Sequence, residues 1–470
     1  MKKKLISALL CVSMIATMLV GCGDNGSSSS GSSDAGATSD TQESDDGAAD
    51  EGGSASAEGG KVYYLNFKPE VDDQWQEIAA AYTAETGVEV KVVTAASGEY
   101  ETTLKSEIAK TDAPTLFQIN GPVGYQSWKD YCLDLSDTDV YDALSDKSLA
   151  VTDGDGVYGV PYTIEGYGII YNDAIMQAYF ALDGAVATSM DEINNFAKLK
   201  EVVEDMTAKK DDLGIEGVFA STSLLPGEDW RWQTHLLNYP INFEFADAGV
   251  TDLDEITFSY GDNFKDIFDL YINNSCVAPA LLGNKSVTDS MAEFALGQVA
   301  MVQNGNWAWT QISDTEGNVV KEEDVKFLPI YCGVDGEENN GLAIGTENFW
   351  AINSQASDAD IQATKDFISW MISSDAGKDY MVNSLGNTAP FTTFADDEKP
   401  QDPLAVSMLS SMESGKTAVP WAFTSFPSEQ YKTDIGDALL QYSGGSMTWD
   451  EVVDTVITRW SEEKAASAAE

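Results

Sequence analysis

Across 470 residues the chain has one histidine, His235, and no pair of cysteines spaced Cys-x-x-Cys. A histidine-rich zinc site is therefore excluded, and a Ser-His or Cys-His catalytic unit must use His235 or do without. Basic residues are scarce as well. Twenty-six Lys and Arg stand against 78 Asp and Glu, a formal net charge of -52. Such a surface repels phosphates, which excludes nucleic acid as a partner, disfavours anionic substrates and suits a neutral ligand. Beyond an apolar stretch over 5–20, no run approaches 18 residues, so no other membrane span is expected. Two fragments of known motifs are incomplete. SGKT at 414–417 has Ser410 where a phosphate loop needs glycine, and reads as a turn. DGDG at 153–156 has Ile164 where a calcium loop needs a bidentate acid, and reads as a hairpin turn. No cofactor and no metal are expected. Of the five cysteines, Cys132, Cys276 and Cys332 lie far apart in the body; three buried free thiols are the expectation, one disulfide plus a free thiol the alternative.

What is present begins at the N-terminus. Lys2, Lys3 and Lys4 precede the apolar stretch, which fits the core of a secretory signal. It ends in Leu19, Val20, Gly21 and Cys22, a pattern that resembles the lipobox of bacterial lipoproteins. The resemblance implies a signal peptide over 1–21, cleavage before Cys22 and a lipid anchor on Cys22. Two acyl chains hold a protein firmly where one does not. Residues 22–60 are acidic and rich in Gly and Ser, without Lys, Arg or an aromatic residue. Such a segment cannot offset its ordering entropy and reads as a disordered linker reaching about 30–40 Å. The expected location is the extracellular face of the bacterial cytoplasmic membrane.

About 400 residues remain, more than one hydrophobic core accommodates, so two domains are expected. KVYYLNF (61–67) reads as a strand, 73–87 as a helix, 88–95 as a strand, 99–114 as a helix and 115–121 as a strand. This alternation implies an α/β fold with a parallel sheet and ligand-binding loops at the strand C-termini. YGVPYTIEGYGIIYN (158–172) has the extended, glycine-punctuated character of a segment crossing between lobes. Helices are expected near 191–208, 227–239, 262–273, 358–374 and 448–463, and strands at 325–330 and 348–353. Aromatic residues gather at the ends of these elements: EDWRW (228–232), NGNWAW (304–309), TENFW (346–350) and VPWAFTSF (419–426). Each Trp taken singly is a core candidate, but several at strand ends suit the C–H faces of sugar rings. Asn120, Glu165, Asn306, Glu347 and Asn348 stand at the same junctions, where they could meet sugar hydroxyls.

APTLFQINGP (113–122), the GVYGVPYTIEGYGIIYN crossing, the helix leading into GQVAMVQNGNWAW (297–309) and the late DADIQATKDFISWMISSDAGKDYM helix carry a family resemblance. Over nearly all of 61–465 the chain resembles the family 1 extracellular solute-binding proteins, the ligand-capturing subunits of bacterial carbohydrate ABC importers. The resemblance implies a two-lobed, type II periplasmic-binding-protein-like α/β fold with a ligand cleft between the lobes. One lobe would comprise 61–165 plus 341–395, the other 166–340 plus 396–465, with passages near 164–168, 335–345 and 390–400. Maltodextrin-type members have a motif, Asn-Gly-Pro-Trp-Ala-Trp, similar to 304–309 except for Asn306 in place of Pro; its first Trp stacks on sugar, which points to Trp307. Their crossing strand carries a sugar-binding Glu, which points to Glu165. The loop after the first strand carries charged contacts, here Lys68, Glu70 and Asp72. The third-strand loop departs from the family pattern, with Gln118, Asn120 and Gly121. The resulting ligand-binding set is Glu70, Asn120, Glu165, Trp230, Arg231, Trp307, Glu347, Trp350 and Trp421. The implied function is non-catalytic capture of a neutral oligosaccharide, malto-oligosaccharide-like by preference, by a monomer that delivers it to membrane permease subunits. The alternatives are a surface glycoside hydrolase, which needs two carboxylates across a scissile bond, and a peptide- or amino-acid-binding protein, for which Arg231 would be part of the clamp.

Overall fold

The structure, a computed structural model, describes residues 60–96 and 99–467. The expected signal, Cys22 and all but the last residue of the linker lie outside the described residues. Among the described residues, twelve strands form two six-stranded sheets. The first contains β1 (Lys61–Asn66), β2 (Glu89–Thr94), β3 (Leu116–Ile119), β4 (Val151–Asp153), β5 (Gly156–Pro161) and β11 (Phe349–Ile352), in the order β2-β1-β3-β11-β5-β4. The second contains β6 (Glu165–Asn172), β7 (Gly217–Phe219), β8 (Val299–Gly305), β9 (Val325–Leu328), β10 (Asn340–Gly345) and β12 (Thr417–Val419), in the order β12-β10-β6-β8-β7, with β9 also paired to β6.

The first sheet begins as the alternation dictates. Helix Asp72–Thr86 presents Trp75, Ile78, Ala79 and Tyr82 at helical spacing and buries all four. It stops at Gly87, whose φ of 78° is the left-handed cap that glycine adopts without strain. The helix returns the chain so that β2 pairs parallel to β1, and β3 joins on the other side, also parallel. The expected all-parallel sheet ends there. β11 pairs antiparallel with both β3 and β5, because it enters from the other sheet and runs in the reverse sense. β4 and β5 form a hairpin around the DGDG turn, with Gly154 at φ 57°. Side chains alternate across the sheet. Val62 and Tyr64 join Trp75, Tyr82, Phe367 and Met371 on one face, while Leu65 joins Leu104, Phe117 and Ile119 on the other.

The second sheet is built around β6, buried along its whole length. Tyr167 and Ile169 face the larger core with Trp232, Phe264, Tyr271 and Trp460; Ile170 faces Met291, Phe294 and Val302. Glycine permits the crowding here: a Cβ on Gly168 would lie 2.7 Å from the Leu328 carbonyl. The chain passes from the first sheet to the second between β5 and β6. It returns between β10 and β11, at 346–348, rather than over the expected 335–345, since β10 pairs with β6 and β12 of the second sheet. It leaves the first sheet again before helix Pro403–Glu413, whose Leu404 is buried in the second core. Cys132, Cys276 and Cys332 are free thiols; Cys132 and Cys332 are buried and Cys276 only half so. No helix among the described residues is long and apolar enough to cross a membrane.

Candidate functional site

A cavity of about 780 Å³ is lined by residues from both sheets and from the passages between them. That is within the range of about 300–1,000 Å³ that takes drug-sized ligands. From the first lobe come the loop after β1 (Phe67 to Glu70), Tyr100 and Glu101 of helix Tyr100–Ile108, and Asn120 beyond β3. The passages contribute Glu165, Glu347 and Asn348. The second lobe contributes 226–231, Gln233, Thr234, His235, Trp307, Thr310, Gln311 and one face of helix Glu429–Ser443.

The aromatic wall depends on a local irregularity. Arg231–Leu236 forms a π-helical turn, in which the Leu237 N–H reaches back five residues to the Trp232 carbonyl. Downstream, Pro240 has no N–H to offer the Leu236 carbonyl, and π-helical turns recur at functional sites. The Gln303 amide of β8 donates to the Arg231 carbonyl at 2.7 Å and ties the turn to the sheet. Trp230 and Trp307 lie 5.9 Å apart, tilted by 42°. His235 stacks on Tyr167 at 4.3 Å and lies 4.8 Å from Trp230 and 5.5 Å from Trp307. Neither His235 nitrogen has a partner among the described residues. Burial, with Arg231 and Lys432 nearby, holds its pKa well below the usual histidine value, so the ring is neutral. Trp307 folds back over Gly305, where a Cβ would lie 2.2 Å from the indole ring.

The cavity is lined by nine carboxylates and three cations. Two cations are paired. The Lys68 ammonium donates to one Glu165 oxygen, and the Asn348 amide donates to the other at 2.5 Å. Lys68 also lies 5.8 Å from the centre of the Trp307 ring. Burial opposes its charge, but Glu165 and Glu70 outweigh burial and raise its pKa. Lys432 donates to Glu429 at 2.8 Å. Arg231 lies 3.9 Å over the Trp230 ring, and none of its side-chain nitrogens has a partner among the described residues. Burial lowers its pKa to about 9. Burial pushes Glu347 up to about 7 against the pull of Lys432, and lifts Glu70 against that of Lys68. Glu101 is also pushed to about 7 by burial, reinforced by Glu429.

Of the residues picked out from the sequence, Glu70, Asn120, Glu165, Trp230, Arg231, Trp307 and Glu347 line this cavity. Trp350 and Trp421 do not. β11 is an inner strand between β3 and β5, and Trp350 is buried in the first core, packed against Tyr162 at 4.8 Å. Trp421 packs on Gly345, Tyr167 and Phe423 in the second core. Asp72 accepts hydrogen bonds from Thr94 and Gln76 at the start of its helix. Gln118 is buried, holding Tyr64, Tyr162 and the Phe67 amide. Asn306 accepts from the Gly166 amide at 2.9 Å and fixes the start of β6. The ligand-binding set did not include Lys68, His235, Glu101, Glu429 and Lys432. Lys68 and His235 stand beside chosen residues and were within reach. The other three lie on polar faces of helices Tyr100–Ile108 and Glu429–Ser443, where local pattern gives no sign of a cavity.

No curated protein sequence matches this chain. Its fold is shared with solved structures. The solute-binding protein RafE in complex with raffinose superposes with a TM-score of 0.66 at 18% identity, covering 86% of this chain and 99% of its own. A chitin oligosaccharide binding protein gives 0.67 at 19% identity, covering 86% and 98%. Maltose-bound T. maritima MalE3 gives 0.65 at 15%, covering 85% and 98%. Residues 77–406, running through both sheets and most of the cleft, match the sequence profile described as bacterial extracellular solute-binding protein, and the chain belongs to that family.

Proposed function

We propose that the protein captures a neutral oligosaccharide, malto-oligosaccharide-like by preference, in the cleft between its lobes and delivers it to the permease of an ABC importer. The observation that carries this reading is the make-up of the cleft. Trp230 and Trp307 form an apolar wall on one lobe, while Glu70, Asn120 and Glu347 offer hydrogen-bonding groups from the other lobe and the passage. A sugar ring has apolar faces and a polar rim and answers both. The volume exceeds what a single ring needs, in keeping with an oligosaccharide. Solved relatives of this fold are named for raffinose, chitin oligosaccharide and maltose. Ligand touching both lobes favours the closed arrangement by its differential affinity for that state. On this reading Glu70, Asn120, Glu165, Trp230, Arg231, Trp307 and Glu347 serve binding, Glu165 through the ion pair and amide contact that hold the passages. The protein works as a monomer, tethered through lipid on Cys22 at the outer face of the cytoplasmic membrane.

The test is calorimetric titration of the chain with maltotriose, raffinose, xylotriose and chitotriose, with recovery of each sugar afterwards. Micromolar binding of one linkage type, intact recovered sugar and loss of heat in Trp307→Ala are expected. Heat with peptides alone would replace the reading with a peptide binder, and shortened sugar would replace it with a hydrolase.

A further inference from the structure

One of the three cations in the cleft has no acceptor among the described residues. Lys68 and Lys432 are each held by a carboxylate, but the Arg231 guanidinium is not, although its side chain is 1% exposed. Its Nε, Nη1 and Nη2 find no acceptor among the described residues. A buried charge left without hydrogen bonds is among the most unfavourable features a fold can carry. Trp230 covers one face of the guanidinium and accounts for its position, but supplies no acceptor.

The carboxylates whose fields act on Arg231 are Glu70 and, more weakly, Glu228. Glu228 already accepts from the Val287 amide at 2.7 Å. Glu70 is free: among the described residues it forms no ion pair and accepts no hydrogen bond from another residue. It sits on the short turn Pro69–Val71 after β1, in the first lobe, whereas Arg231 belongs to the second. Arg231 and Glu70 thus line one cavity from opposite lobes without bonding to each other, and Glu70 lies in the field of Lys68 as well.

Two kinds of ligand group could satisfy the guanidinium. A carboxylate matches its fork, but would stand beside Glu70 in a cavity with nine carboxylates and three cations. A hydroxyl accepts through its lone pairs and donates its own proton. At one atom it satisfies the donor and the acceptor together.

We propose that Arg231 and Glu70 are the halves of a split ion pair completed by a ligand hydroxyl, which accepts from the Arg231 guanidinium and donates to the Glu70 carboxylate. The subsite takes a ring bearing a hydroxyl at that place and turns away one bearing a carboxylate there. Because the halves belong to different lobes, the same hydroxyl ties ligand capture to closure. This inference rests on the sugar reading above and adds to it the residues that set specificity.

The test compares the wild-type chain with Arg231→Met, Glu70→Gln and the double variant. Each is titrated calorimetrically with maltotriose, raffinose and, as the acidic probe, trigalacturonate. The wild type is expected to bind a neutral probe and not the acidic one. Each single variant should lose at least tenfold in affinity. The double variant should lose no more than about threefold beyond the weaker single, because one hydroxyl serves both groups, whereas independent contacts would multiply toward a hundredfold. Thermal melting of the ligand-free proteins provides the second readout. Arg231→Met removes an unpaired buried charge, so its Tm should hold or rise while its affinity falls. Multiplying losses, unchanged affinity in Arg231→Met, a Tm that falls together with the affinity, or tighter binding of trigalacturonate than of the neutral probes would each overturn the split pair while leaving sugar binding intact. No heat from the wild type with any probe would overturn both.

Discussion

Gly305 is the last residue of β8, paired antiparallel with Tyr167, and its φ of -108° is open to any amino acid. What makes it glycine is space. An alanine Cβ there would lie 2.2 Å from two carbons of the Trp307 ring, and ordinary contact begins near 3.4 Å. The difference, about 1.2 Å, is the distance by which the ring must retreat or tilt in Gly305→Ala. A radial gap of ~0.5–1 Å already forfeits a quarter to a half of a dispersion contact. Stacking is worth ~0.5–1.5 kcal/mol beyond the area it buries. With the apolar area lost as well, a displaced Trp307 should weaken sugar binding by about 1–2 kcal/mol, a rise in Kd of roughly 5–30-fold. Stability should change little, since alanine in a strand is favoured over glycine by ~0.5–1 kcal/mol. Calorimetric titration gives the first quantity and urea unfolding the second, with Trp307→Ala setting the ceiling on lost affinity. An unchanged Kd in Gly305→Ala, alongside abolished binding in Trp307→Ala, would refute the reasoning. So would a stability loss of several kcal/mol, because the clash would then fall on the backbone and not on the ring.

Further outcomes concern pH and the core. Burial holds Glu347 at about 7, above its unfolded value, so its proton contributes stability that is complete below the unfolded pKa and is lost as pH rises through about 7. Solvent screening of this half-buried group reduces the effect to ~1–2 kcal/mol; urea unfolding at pH 5 and pH 8 should show wild type losing that much more than Glu347→Gln, and equal pH slopes would refute it. Trp350 is buried against Tyr162 in the first core, so Trp350→Ala should cost about 3–5 kcal/mol in urea unfolding and leave the affinity of the folded protein unchanged. Lost binding at an unchanged urea midpoint would return Trp350 to the cleft.

The two kinds of tryptophan show where a sequence stops being legible. Trp350 and Trp307 both stand where a strand meets a glycine- or asparagine-rich turn, and local pattern gives them the same reading. What separates them is the strand next door. β11 has a neighbour on either side and a helical layer on its Tyr162 face, so Trp350 has no solvent to meet. Trp307 lies past the end of β8, beyond the last paired residue. Pairing of that kind is non-local, and it is also why 341–345, expected with the first lobe, pairs in the second sheet: a short apolar strand carries no mark of its partner. The early β1 to β3 run was legible because helix Asp72–Thr86 is periodic and capped, and its pairing is nearly sequential. Glu429 and Lys432 were missed because residues three apart on a charged helix are most often a solvated face. Here that face closes a cavity.

Charge follows a similar logic on two scales. Over the whole chain the excess of acid is a long-range field that keeps anionic solutes away, and composition alone reveals it. Inside the cleft the field matters less than what each group has left to give. Lys68 is committed to Glu165, and Lys432 to Glu429. Glu165 is spent on both oxygens, which makes it a clasp between β6 and the β10–β11 passage rather than a free acceptor. Arg231 remains as a donor and Glu70 as an acceptor. Glu347, pushed up to about 7 by burial, titrates near neutral pH and can work in either sense. A ligand meeting these groups must donate and accept over short distances without bringing net charge of its own. Hydroxyls around a ring have that property at every position. An amide divides it between two atoms, an ammonium only donates, and a carboxylate only accepts. On the proposed reading, a preference of the cleft for polyols would follow from which partners its charged residues have already taken, and less from how many charges there are.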